Sequence, residues 1–467
     1  MEKDNIKICY IGGGSRNWAW VLMQDLVFEK ELRGTIELYD LKHEDAQANA
    51  AIGNRLLGEN GGHWKFHANP SLADALSGSD FVLVSILPGD FEEMAVDVHA
   101  PEKYGIYQPV GDTAGAGGII RAMRTIPQYR EIADAVKKYA PCAWVINYTN
   151  PMSVCTRTLY KQFPGIKAFG CCHEVFNTQM LLAATLEEAG LAPVGSIKRE
   201  EIKVSVLGIN HFTWLDKASW KGIDIFPYFR EIAQKCALTG FKKSHAATTF
   251  AAGSALDDDP DEIERLRLFG CTERVKFDLF LRYGLIAAAG DRHLAEFCPH
   301  SWYLSSPQEV EKWGFALTPV SWRITNREKL KKMAKSYIDG MPMTPVQSGE
   351  EGINIIKALS GMGDIVTNVN LPNRGQMPGL PSDAVVETNA SFSRDNIQPL
   401  VTNGLPADIN ALVMPHVLAH EGIIEAVFEN DMEKAFRVFS HDLAVQTLPL
   451  KDACALFDEM CAKTLKK

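Results

Sequence analysis

The sequence predicts an α/β fold in two parts, a doubly wound parallel sheet over residues 1–200 and a mixed α+β domain over residues 201–467. Three observations carry this. The chain opens on a strand, a glycine-rich turn, a helix and a second strand. Two short, continuous apolar runs follow, of the kind found in strands buried on both faces. After about residue 200 the organisation changes to a strand, an irregular excursion and long helical patterns.

The elements follow in order. Lys7–Ile11 reads as a buried strand that runs into Gly12-Gly13-Gly14-Ser15. Trp18 to Phe28 carries apolar residues at helical spacing, with Gly34 as its stop, and Thr35–Tyr39 is a second strand ending at Asp40. This is a Rossmann-like start, in which glycines let the main chain approach a pyrophosphate at a helix N-terminus. Asp40 stands where a carboxylate accepts ribose hydroxyls, which favours NAD over NADP. Asn17 occupies the place of the third glycine, a departure from the fingerprint. Gly12, Gly13, Gly14, Ser15 and Asp40 are therefore the candidate cofactor-binding residues. Phe81–Ile86 and Trp144–Asn147 supply two more buried strands, whose carboxyl ends should face the cofactor. Between them, Gly111 to Gly118 is too rich in glycine for a helix and reads as a loop lying close to a ligand.

In the second half, Lys203–Leu207 is a strand that delivers Gly208-Ile209-Asn210-His211. Residues 244–262 read as a surface excursion or lid. Its run Asp257-Asp258-Asp259 is solvated charge ahead of a Glu262–Phe269 helix rather than a calcium loop. A long helical pattern leads to Gly290-Asp291-Arg292-His293, and the chain closes in helices from Ala407.

Composition narrows the class. The 467 residues, 46% hydrophobic and 23% charged, are enough to bury a sizeable core in two large domains. A net charge of −10 disfavours nucleic acid or an anionic membrane as partner. The start Met1-Glu2-Lys3-Asp4 lacks a basic region followed by an apolar one, and no uninterrupted apolar run nears the roughly 18 residues of a membrane span. The 10 irregularly spaced cysteines do not form a disulfide framework and suit a reducing, cytoplasmic setting.

The chemistry concentrates in Cys171-Cys172-His173-Glu174-Val175 and in Asn210-His211. A thiolate and an imidazole on a chain that also binds a nicotinamide point to a metal beside a hydride acceptor. Taken in order, Ile11 to Ser15, Asn150-Pro151, Cys172 to Val175, Gly208 to His211, and the stretch from Asn370-Leu371-Pro372-Asn373 to Val385-Val386-Glu387 resemble glycoside hydrolase family 4 over nearly the whole chain. That resemblance implies a fold like that of lactate and malate dehydrogenases, NAD and a divalent metal (usually manganese, Mn2+) as cofactors, a small α-glycoside substrate, and a homo-oligomer, dimer or tetramer. The tetrapeptide Cys172-His173-Glu174-Val175 is similar to that of the α-galacturonidases, so the substrate implied is a uronide.

The resemblance also implies a mechanism unlike that of two-carboxylate glycosidases. Hydride leaves C3 for NAD, the resulting ketone acidifies C2, a base takes the C2 proton, the C1 substituent leaves, and water and hydride return. By motif, Cys172 and His211 are the implied metal ligands and Asn150 contacts sugar hydroxyls. His173 stands where some relatives carry an acidic general acid, and Glu174 lies beside the substrate. For the C2 base, Asp291 is the first candidate and Tyr283 the second. A uronate carboxylate needs a cation, best an arginine, and Arg292 and Arg374 are the candidates. The competing readings are an α-glucuronidase or α-galactosidase of the same family, a plain NAD-dependent dehydrogenase, and a non-catalytic NAD sensor.

Overall fold

A computed structural model describes residues 5–241 and 260–465. Six strands form a parallel array: β1 (Asn5–Ile11), β2 (Arg33–Tyr39), β3 (Trp64–Ala68), β4 (Phe81–Val84), β5 (Trp144–Asn147) and β6 (Lys167–Gly170). β4 is buried at every position and β5 at three of four, because helices cover both faces. The second half contributes an antiparallel sheet of β7 (Ile202–Ile209), β8 (Phe212–Trp220), β9 (Ile223–Asp224) and β10 (Ile286–Ala287). It also sends β11 (Ile365–Pro372), β12 (Val385–Ser393) and β13 (Asn396–Pro399) back into the first sheet.

The large sheet therefore runs β13-β12-β11-β6-β5-β4-β1-β2-β3, nine strands in all. The junction is antiparallel and pairs Asn370 with Gly170. Two sheets do begin on either side of residue 200, yet the first is completed by strands from beyond residue 364. Sequence patterning records which faces are apolar but not which strand lies beside which.

Two local expectations are corrected. Gly34 lies inside β2 rather than ending the first helix, which stops at Phe28; a side chain at Gly34 would collide with the Ile6 carbonyl of β1. The glycine-rich stretch is a loop only to Ala114, and a helix starts at Gly115 and runs to Tyr139. Its glycines serve close packing. A Cβ at Gly117 would lie 2.7 Å from the Asp97 carbonyl oxygen, and one at Gly118 would lie 2.6 Å from the Thr113 carbonyl carbon. The excursion and its aspartate run lie outside the described residues up to 259, and the helix after them spans Pro260–Phe269.

The Ala407–Glu429 helix is long and apolar enough, by composition, to cross a membrane. In the fold its Ile409, Val413 and Val417 are buried in one core cluster with Phe212 and Trp214 of β8. Its His416 is hydrogen-bonded to the Phe297 carbonyl at 2.9 Å.

Candidate active site

The site is assembled where the carboxyl ends of β1, β5 and β6 meet the turn between β7 and β8, as an open α/β sheet favours. At the first of these, Gly12 and Gly13 each donate a 2.9 Å hydrogen bond to the Tyr39 carbonyl, and Gly14 donates one of the same length to Asp40 Oδ2. Gly12 adopts a φ of 93°, and a Cβ there would collide with the Ser85 carbonyl, so only glycine fits. The Trp18–Phe28 helix that follows has no side-chain cap from Asn17. Its first N–H groups are left for an anion, and the cradle fits a dinucleotide pyrophosphate.

Across the sheet, the two-residue turn Asn210-His211 holds His211 at a φ of 63°, a left-handed conformation that costs a non-glycine residue about 1–3 kcal/mol. Thr113 Oγ1 donates to Asp112 Oδ1 at 2.7 Å and lies 3.1 Å from His211 Nδ1. With its proton given to Asp112, the hydroxyl accepts from Nδ1–H, which leaves His211 Nε2 with a free lone pair. The His293 ring lies against His211, tilted 34° to it, with centroids 3.9 Å apart. One ligand atom each from Asp112, His211 and His293 lies within 4.8 Å of the others.

Burial, and secondarily the neighbouring imidazole, pushes His211 down to about 3, and burial lowers His293 as well. Burial would raise Asp112, but Arg121, His211 and His293 overcome it and hold the carboxyl at about 2. Two neutral imidazoles and one carboxylate are a donor set that fits a divalent cation such as manganese.

Cys172 follows β6 and is not in that close set. It is buried, its carbonyl accepts from Asn368 Nδ2 at 3.2 Å, and burial together with Glu387 and Glu174 pushes its thiol well up. As a metal ligand it must lose that proton. Among the described residues, buried polar atoms without a partner gather around these loops: Asn150 Oδ1, Asn210 Oδ1, Asp291 Oδ2, His293 Nδ1 and Arg121 Nη1. So many unsatisfied groups in one region mark a place for a polar ligand.

The other expected residues divide. Asn150 belongs to the site, since its Nδ2 donates to Asp112 Oδ2 at 3.3 Å and its Oδ1 is free. His173 Nδ1 lies 3.2 Å from Glu350 Oε1. Burial opposes its charging, but Glu350, Glu174 and Glu387 outweigh that and raise it to about 9. Asp291 is fully buried, with Oδ1 accepting from the Lys276 amide at 3.1 Å. Burial, with Glu273 adding to it, raises Asp291 to about 7.

Glu174 lies against the imidazoles, its Oε1 3.8 Å from His293 Nε2 and 3.9 Å from His173 Nε2. Its Oε2 accepts from the Gly290 amide at 2.7 Å, and although burial would raise it, His293, His173 and His211 hold it at about 2. Tyr283 packs against Trp214 at the end of the Arg274–Tyr283 helix. Its titratable neighbours are Arg282, Cys298, Asp408 and Asp278, none of them in the Asp112, His211 and His293 cluster. Arg374 pairs with Asp383 at 2.8 Å, its side chain 66% exposed. Arg292 is buried but committed to the Pro109 and Ala316 carbonyls and the Thr318 hydroxyl. Asp112, His293, Arg121 and Glu350 were missed as site residues. Only Asp112, a lone carboxylate among glycines, carried a signal in the sequence.

Comparison with known proteins agrees with this architecture. The Family 4 glycosyl hydrolase profile matches residues 7–188, and the Family 4 glycosyl hydrolase C-terminal domain profile matches residues 206–445. The chain is 51% identical over 459 residues to an alpha-galacturonidase of Thermoanaerobacter italicus, covering 98% of this chain and 96% of that one. The crystal structure of lplD from Bacillus subtilis superposes with a TM-score of 0.89 at 47% identity, over 98% of this chain and 100% of that one. A 6-phospho-alpha-glucosidase from gut microorganisms, solved in complex with NAD and Mn2+, shares the fold at a TM-score of 0.80 and 19% identity, over 98% of both chains. The protein belongs to glycoside hydrolase family 4 and is a glycosidase by that membership.

Proposed function

We propose that this glycosidase is an NAD- and manganese-dependent α-galacturonidase. The observation that carries the cofactor reading is the pairing of a glycine turn and its uncapped helix with the Asp112, His211 and His293 cluster, where the carboxyl ends of the large sheet meet the β7–β8 turn. The substrate reading is supported by the Thermoanaerobacter relative and by Cys172-His173-Glu174-Val175. The cofactor reading is supported by the gut 6-phospho-alpha-glucosidase complex.

Gly12, Gly13, Gly14 and Ser15 would hold NAD, with Asp40 at the end of β2 toward its ribose. His211, Asp112 and His293 would hold the metal, joined by Cys172 as a thiolate. When bound, these groups supply a reversible two-electron acceptor for C3 and Lewis-acid polarisation of the sugar oxygens.

The chain does the remaining work. Asn150 Oδ1, unpaired and beside Asp112, accepts from a sugar hydroxyl and fixes the ring. Asp291 Oδ2, also unpaired, takes the C2 proton. A value of about 7 leaves it substantially ionised at neutral pH yet basic enough to act. His173, held charged by Glu350, gives a proton to the departing C1 oxygen. Glu174 stays ionised among the imidazoles and holds the Gly290 amide, at the start of the helix that carries Asp291 and His293. We further expect a cytoplasmic homo-oligomer, dimer or tetramer, whose mass light scattering measures.

The test is release of nitrophenol from a panel of 4-nitrophenyl α-glycosides with and without NAD and manganese. The galacturonide should be cleaved only with both, without net NADH, and in heavy water the released sugar should carry deuterium at C2. Steady stoichiometric NADH would return the protein to the dehydrogenase reading. Preference for the glucuronide or galactoside would redirect the substrate assignment within the family.

A further inference from the structure

We propose that Glu296 is a positioning residue for the metal site: with Arg292 it clamps the loop that carries Asp112 onto the helix that carries His293. This rests on the metal-binding reading above.

The cluster takes His293 from the Asp291–Phe297 helix and Asp112 from irregular backbone between the helical turn Pro101–Tyr104 and the helix that starts at Gly115. A ligand on such backbone has no ladder of helix or sheet hydrogen bonds to hold it. The residue before it, Gly111, stands at a φ of 66°, which glycine alone adopts without strain.

The helix supplies the hold. Arg292 and Glu296 are four residues apart and share one face. Arg292 Nη2 donates to the Pro109 carbonyl, which also accepts from Thr318 Oγ1 at 3.0 Å. Glu296 Oε1 accepts from the next two amides, Val110 at 2.6 Å and Gly111 at 2.8 Å. The three residues that precede Asp112 are thus tied to little more than one turn of helix, and His293 lies within that turn.

The division of labour is clear from the contacts. Thr113 and Asn150 orient the Asp112 carboxylate, whereas Glu296 fixes the main chain that brings it there. Glu296 is 8% exposed and Gly111 is buried, so removing the shared oxygen strands amides away from water. The loop must then move to find new acceptors. Metal donors tolerate only about 0.2 Å of error in distance, so a loop shift next to Asp112 weakens the site.

Manganese binding to the NAD-loaded protein is titrated by the free-ion electron paramagnetic resonance signal, and circular dichroism and melting check each fold. Glu296→Ala should weaken binding by roughly 10- to 100-fold, the range for groups that orient metal ligands. Glu296→Gln keeps the acceptor oxygen and should bind manganese like the wild type. Glu296→Asp is one methylene short of the loop and should lose about tenfold, which decides the matter if the Ala variant does not fold. Because Glu296 acts through Asp112, adding Glu296→Ala to Asp112→Ala should cost little more. A wild type that binds no manganese overturns the metal reading and this proposal together. With a wild type that binds it, three results overturn the proposal alone: a folded Ala or Asp variant of unchanged affinity, a Gln variant as weak as Ala, or an undiminished loss in the Asp112→Ala background.

Discussion

Replacing Lys276 with methionine should weaken both the fold and the base. Lys276 and Glu273 are 1% and 2% exposed, with Nζ and Oε2 2.7 Å apart, and Nζ also donates to Thr178 Oγ1 at 3.2 Å. Removing the ammonium leaves a carboxylate buried without its counter-charge, which costs about 3–5 kcal/mol. At about 2 °C per kcal/mol for a large domain, the melting temperature should fall by roughly 6–10 °C.

The same change acts on Asp291. Its carboxyl, raised by burial and Glu273 to about 7, is opposed by the Lys276 charge and by hydrogen bonds from the Lys276 and Val275 amides. Without that charge Asp291 moves further up. A base must be ionised to act, so the acid limb of the kcat/KM profile should shift to higher pH by about a unit. Calorimetry and a pH–rate profile measure the two effects. Lys276→Met with Glu273→Gln removes both charges and should recover most of the lost stability. A single variant that melts like the wild type, or a double variant that melts no higher than the single, refutes the argument. If the acid limb stays in place while the protein is destabilised, Asp291 is not the base.

Three further outcomes follow from the same geometry. Gly12→Ala forces a Cβ against the Ser85 carbonyl at a φ of 93°, so it should cost about 1–3 kcal/mol and abolish NAD-induced thermal stabilisation. His293→Ala should weaken manganese binding by about tenfold or more, read from the free-ion electron paramagnetic resonance signal, while Arg374→Ala leaves it unchanged. Burial raises Glu296 from 4.5 to about 8, against the pull of the Val110 and Gly111 amides. Between those values the folded state holds a proton that the unfolded state has lost, so stability should fall as pH rises from about 4.5 to about 8. In chelator-treated protein, Glu296→Gln should flatten that slope.

Local patterning was enough for the first βαβ unit, for β5 to the residue, and for the closing helices, because in each the apolar period, the turn chemistry and the fold agree. The glycines of the first turn were legible for the same reason, since a turn against a neighbouring strand leaves room for no side chain. Gly115 and Gly117 misled because glycine permits a loop and also permits a helix packed onto the backbone of Asp97 and Thr113. The choice between them lies in contacts far along the chain.

The sequence by itself determined an α/β chain with a glycine-rich first turn and a cysteine–histidine signature typical of one glycosidase family. Tertiary structure decided that β11 to β13 complete the first sheet, that Asp112 and His293 join His211, and that Arg292 is consumed by two carbonyls and a hydroxyl. These were out of reach of any local pattern. A ligand cluster drawn from residues 112, 211 and 293 has no period, and whether a buried arginine is free depends on which acceptors the fold has already placed around it.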